Sequence, residues 1–165
     1  MTENLSGSTT HKDVHITMSE MGTSSPFPLQ RKCSSALETS SGAQQVRILV
    51  VEDFPQFREY ISAALEERPN LRIIGETADG LEAVQKAVEL KPDLILMDIG
   101  LPSLNGIDAA RRILEVVPKT KIIFLSQESS INVMQVALNV GACGYVVKIK
   151  AACELLPAID AAVSR

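Results

Sequence analysis

The chain has 165 residues, about the length of one domain with a tail, so two full catalytic domains do not fit. At 45% hydrophobic and 22% charged residues it lies near the globular average, which excludes wholesale disorder. Its formal net charge of −4 is too acidic for the phosphate-neutralising surface of a compact nucleic-acid binder, so direct nucleic-acid binding is not expected.

Residues 1–45 hold 15 Ser or Thr and show neither helical nor alternating apolar period. Such a segment cannot offset the entropy of ordering, so a disordered, dispensable N-terminal tail is expected there and an ordered domain over 46–165. The opening residues contain no basic stretch followed by an apolar run, so no secretory signal is read.

From Val46 the pattern becomes regular. The β-branched run Val46–Val51 predicts a first strand, and an amphipathic helix over about Pro55–Glu67 follows it. Beyond Pro69, Leu71–Gly75 predicts a second strand, and Leu81–Leu90 a second helix with Asp79 as its N-cap. A third strand over Leu94–Met97 comes after Pro92 and leads to a helix over Gly106–Val116, which Pro118 closes. Next come a strand over Ile122–Leu125, a helix over Ile131–Val140 with Ser129 as its N-cap, and a fifth strand over Gly144–Val147. The last apolar pattern predicts a short helix over Leu155–Val163. Pro157 is placed in its first turn, where proline is tolerated, and Ala151–Glu154 is read as a turn. Strands that are apolar on both faces and alternate with helices predict an α/β protein of the (βα)5 type. Right-handed crossovers then give a three-layer, doubly wound parallel sheet.

No membrane segment is expected. Ser129–Val147 is uncharged, but Asn132, Gln135, Asn139, Gly141 and Gly144 interrupt it. Cys33, Cys143 and Cys153 show no C-x-x-C or Cys/His spacing, so neither a disulfide framework nor a zinc site is read, and a reducing cytoplasm fits.

In doubly wound sheets ligands sit at the carboxyl ends of the strands. That rule brings Glu52 and Asp53, Asp98, Ser126 and Lys148 to one rim. Three crowded carboxylates repel one another unless a cation is present. Mg²⁺ is the natural one, because it prefers oxygen ligands and leaves room for water or phosphate. A carboxylate beside that ion can act as a nucleophile and form an aspartyl phosphate, with Lys148 and the Ser126 hydroxyl serving the phosphoryl oxygens. Taken singly, each feature has a structural explanation as a cap, a turn or a surface charge; their convergence favours the functional one. Competing sites fail on composition. The stretch VEDFPQF carries no G-x-G-x-x-G, no G-K-[ST] occurs, and two acids stand where a mononucleotide binder places its phosphate loop.

The runs ILVVEDFPQFRE, DLILMDIGLPSLNG, IIFLSQ and GYVVK resemble the receiver domain of two-component response regulators over Val46 to about Val163. LPSLNG and GYVVK are similar in style to receivers of the NarL and FixJ class, which precede helix-turn-helix domains. The resemblance implies a flavodoxin-like fold with strand order 2-1-3-4-5 and Asp98 as phosphoacceptor. It implies Mg²⁺ held by Glu52, Asp53, Asp98 and the backbone carbonyl of Gly100. Ser126 and Tyr145 become switch residues, and Lys148 the phosphate-contacting, catalytic lysine. The implied partner is a sensor histidine kinase or phosphotransfer protein, and the implied role is signalling rather than metabolic catalysis. Three positions depart from the usual pattern: Glu52 stands for Asp, Ser126 for Thr, and Gln127 for a smaller residue.

For output, the uncharged stretch around Ile131–Val147 is either a surface for a second copy or an effector, or a helix whose polar face is supplied by Asn132, Gln135 and Asn139. The chain ends soon after the fifth helix, so a stand-alone phosphoacceptor is expected. The alternative is a truncated or partner-dependent transcriptional regulator that keeps only its receiver.

Overall fold

The computed structural model describes residues 45–164. The five strands are β1 (Val46–Val51), β2 (Leu71–Thr77), β3 (Leu94–Asp98), β4 (Lys121–Ser126) and β5 (Gly144–Val147). They form one parallel sheet in the order β2-β1-β3-β4-β5, as the resemblance implied. The helices between and after them are α1 (Pro55–Glu66), α2 (Gly80–Leu90), α3 (Gly106–Val116), α4 (Ile131–Asn139) and α5 (Ala151–Val163). The tail expected over 1–45 lies, apart from Gln45, outside the described residues.

Alternation along each strand splits the core in two. Ile48, Val50, Leu94, Leu96, Ile123 and Leu125 point toward α1 and α5, where they meet Ile61, Leu65, Leu155 and Ile159. Leu49, Val51, Ile95, Met97, Ile122 and Phe124 point the other way, onto Ala83 and Ala87 of α2, Ala109, Ala110 and Ile113 of α3, and Ala137 of α4. Small residues on α2 and α3 let those helices lie close to the sheet, and β1, β3 and β4 are buried on both faces over most of their length, whereas β2 lies at the edge and is mostly half-buried or exposed.

Two glycines fix the loop after β3. A Cβ at Gly106 would overlap the carbonyl of Asp98, and one at Gly80 would overlap the carbonyl of Leu104. With hydrogen in place of a methyl, the Gly106 N–H reaches the Ile99 carbonyl at 2.9 Å. The start of α3 therefore presses against the end of β3 and holds Asp98 where the strand leaves it. Asp79 caps α2 by accepting from the Leu81 and Glu82 N–H groups, as read from the sequence; Asn105, which the sequence reading did not find, caps α3 by accepting from the Asp108 N–H.

Two sequence readings need correction. Ala151–Glu154 is not a turn: after a 3-10 turn at Lys148–Lys150, α5 begins at Ala151, which leaves Pro157 inside the helix. Proline in a helix interior removes one backbone bond and costs about 3 kcal/mol. The winning term is burial, since Ala151, Leu155, Ile159 and Ala162 form one continuous core-facing stripe on both sides of Pro157. Nor is Ser129 the cap of α4. Ser130 holds the extended N-cap position, and its backbone carbonyl accepts from the Met134 N–H at 3.1 Å without a side-chain cap bond.

Candidate functional site

Because Asp98 and Ser126 are the last residues of β3 and β4, and Glu52 and Lys148 the first after β1 and β5, the parallel sheet delivers all four to its carboxyl edge. Glu52 is fully buried. Its Oε1 accepts from Lys148 Nζ at 2.7 Å and from the Phe54 N–H at 3.2 Å, whereas its Oε2 is buried and finds no hydrogen-bond partner among the described residues. Lys148 Nζ also lies 3.2 Å from Asp98 Oδ2 and 5.0 Å from the centre of the Phe57 ring. One ammonium thus serves two buried carboxylates.

Asp53 is exposed beside them, and oxygens of Glu52, Asp53 and Asp98 all lie within 4.8 Å of one another. A cavity of about 510 Å³ opens over this group. It is lined by Asp53, Asp98, Gly100, Ser126, Gln127 and Glu128, with Ile99, Ile107 and Val133 as its apolar wall. An all-oxygen donor set with an unsatisfied buried carboxylate oxygen fits a hard divalent cation.

Burial pushes the Glu52 carboxyl above its usual range; the Lys148 bond pulls it part of the way back, and the Asp98 charge pushes it up again. A carboxyl raised in the folded state destabilises the fold while it is ionised, and that cost is relieved as pH falls through the raised value. Glu52→Gln keeps the shape without the charge. In metal-free buffer at neutral pH the variant is therefore expected to have a higher unfolding midpoint than wild type. The gap should close as pH falls toward 4.5, the ordinary value for Glu. Thermal unfolding of both proteins across this pH range checks it; a gap independent of pH would show that Glu52 is not a charged burden.

The switch candidates are linked through the backbone of one residue, Glu128. Ser126 Oγ accepts from the Glu128 N–H at 3.0 Å, and the Glu128 carbonyl accepts from the Tyr145 hydroxyl at 2.8 Å. The Tyr145 ring is half-buried and already tied across the loop between β4 and α4. Sequence reasoning did not find Glu128, which acts through its backbone, or Phe57, which acts through its ring face. It also missed Arg58, whose guanidinium donates to the Glu52 carbonyl at 2.5 Å. The one available signal was a cation six positions after the first acid, early in a helix.

The chain matches the response regulator receiver domain over residues 48–160. It belongs to the response regulator receiver family. It is 37% identical over 117 residues to the transcriptional regulatory protein LiaR of Bacillus subtilis, covering 71% of this chain and 56% of LiaR. With a protein-glutamate methylesterase/protein-glutamine glutaminase of Thermotoga maritima it shares 40% identity over 105 residues, which is 62% of this chain but only 30% of that protein. The chain therefore spans about half or less of these relatives. Among solved structures, the response regulator domain of T. maritima CheB superposes with a TM-score of 0.68 at 35% identity, covering 73% of this chain and 98% of that one. The receiver domain of the putative response regulator NarL from Mycobacterium tuberculosis gives 0.69 at 28% identity, covering 74% and 99%. The flavodoxin-like receiver fold read from the sequence is the one found, and a phosphoacceptor role in two-component signalling fits it. No helix among the described residues is long and apolar enough to cross a membrane.

Proposed function

We propose that Asp98 is the phosphoacceptor of this receiver and takes its phosphoryl group from a sensor histidine kinase or phosphotransfer protein. The observation that carries the proposal is the convergence of Asp98, two further carboxylates and Lys148 under one open cavity. Glu52, Asp53, Asp98 and the carbonyl of Gly100 would hold Mg²⁺. When bound, the ion would offset the repulsion between these acids and an incoming phosphoryl group. A carboxylate oxygen of Asp98 attacks phosphorus, the bond to the donor's leaving group breaks, and its electron pair departs with that group. The Lys148 ammonium pairs with a phosphoryl oxygen, and the Ser126 hydroxyl donates to another. No metabolic substrate is turned over. Transfer and later hydrolysis of the group are assisted by the site itself, in the cytoplasm where phosphorylated kinases are found.

Output passes through the face around Ile131–Val147 to a second copy or an effector. Ile131, Val136 and Leu138 are 67%, 49% and 43% exposed on α4, which buries only Ala137. The likeness to LiaR supports a second reading, in which this receiver controls transcription and DNA contact comes from a separate DNA-binding segment or partner. Either way, Asp53→Ala should weaken Mg²⁺ binding by more than the roughly 10–100-fold that loss of a residue behind the ligands costs. Amide chemical shifts followed through a Mg²⁺ titration measure this, and an unaltered titration would remove Asp53 from the ligand set.

A further inference from the structure

We propose that Arg58 is a positioning residue for the cation site, holding the peptide between Glu52 and Asp53 and so aiming Asp53. The inference rests on the metal reading given above. Exposed Asp53 makes no side-chain hydrogen bond to a described residue, so the position from which its carboxylate reaches out is set by its backbone. The Glu52 carbonyl belongs to the same planar unit as the Asp53 nitrogen, and any rotation of that plane swings the Asp53 side chain. Arg58 grips this carbonyl at 2.5 Å. Its own place is fixed twice, by its N–H on the Phe54 carbonyl at 3.1 Å and by its Nε facing Glu76 Oε2 at 3.5 Å. Glu76 in turn accepts from Ser62 Oγ at 3.2 Å, and its carbonyl accepts from Lys86 Nζ at 2.5 Å. The neighbouring Thr77 carbonyl receives the Glu52 N–H at 3.0 Å. The acidic turn is thereby braced from α1 and from β2 at once.

Charge alone argues against a guanidinium here, because a fixed cation beside a cation site lowers the ion's affinity. Positioning and charge therefore predict opposite signs for its removal. The test is a Mg²⁺ titration of the full chain, followed by amide chemical shifts, for wild type, Arg58→Ala, Arg58→Lys and Glu76→Gln. Positioning predicts that Arg58→Ala weakens Mg²⁺ binding about tenfold. Arg58→Lys should recover only part of this, since an ammonium cannot reach the carbonyl and Glu76 as a planar fork does. Glu76→Gln should produce a smaller weakening. In the metal-free protein, the Phe54 amide, which donates to Glu52 Oε1, should exchange faster in Arg58→Ala than in wild type. Unchanged or tighter binding by Arg58→Ala overturns the proposal. If that variant does not fold, Glu76→Gln decides, and an unchanged affinity there overturns it equally. Wild type that takes up no Mg²⁺ overturns the metal reading together with this one; wild type that binds, with Arg58→Ala its equal, overturns the role of Arg58 alone.

Discussion

Replacing Lys148 with Ala is expected to cost about 3 kcal/mol of stability in Mg²⁺-free buffer, the lower end of what breaking a buried ion pair costs. Lys148 Nζ is 2.7 Å from Glu52 and 3.2 Å from Asp98, and the two acid side chains are 0% and 7% exposed. Without the ammonium, both carboxylates must be protonated or left unpaired away from water. Excess Mg²⁺ should reverse most of the loss. A ligand at one hundred times its dissociation constant stabilises by about 2.7 kcal/mol, and in the variant it would also replace the missing positive charge. The Mg²⁺-induced rise in unfolding midpoint should accordingly be larger for Lys148→Ala than for wild type. Chemical denaturation of both proteins with and without Mg²⁺ reads the difference. An equal loss under both conditions would mean that Lys148 acts through packing on Phe57 and not as counter-ion to a cation site.

The second large effect is expected at Ser126. Phosphate on Asp98 would draw the Ser126 hydroxyl, which now accepts from the Glu128 N–H, and the carbonyl of the same residue carries the Tyr145 bond. A charge-assisted hydrogen bond is worth about 1.5–3 kcal/mol, enough to move a two-state equilibrium tenfold or more. On this account the coupling would run through the backbone of Glu128, whose carbonyl already accepts from the Tyr145 hydroxyl. Ser126→Ala should therefore still accept phosphate, while the amide shift changes it provokes over Ile131–Asn139 should fall about tenfold. Spectra of both proteins with and without a phosphate mimic and Mg²⁺ provide the comparison. A full wild-type response of α4 in Ser126→Ala would break the link between residue 126 and output.

Strand positions were legible because a parallel sheet buries both faces, so β-branched runs such as Val46–Val51 stand out from amphipathic helices without any knowledge of partners. The rim residues were legible for a related reason: once strand ends are placed, topology carries Glu52, Asp98 and Lys148 together. What failed was local. Pro157 suggested a helix start, but the stripe from Ala151 to Ala162 extends past it, and packing against the sheet outweighs the missing bond. The braces of the site were hidden because Arg58, Glu128 and Gly106 work through backbone atoms or empty space, which residue type does not announce. The raised carboxyl of Glu52 likewise required its burial and the position of Asp98, both tertiary facts.

The central claim, that Asp98 takes up a phosphoryl group with the help of a divalent cation, is tested most directly by intact-mass measurement. The full chain is incubated with a small-molecule phosphodonor and Mg²⁺, alongside a chelated sample and Asp98→Asn, which removes the nucleophile while keeping its shape. The account predicts the mass of one added phosphoryl group on wild type with Mg²⁺, and none on the chelated sample or on Asp98→Asn. Phosphate gained by Asp98→Asn at the wild-type rate, or by wild type equally well in chelator, would contradict it.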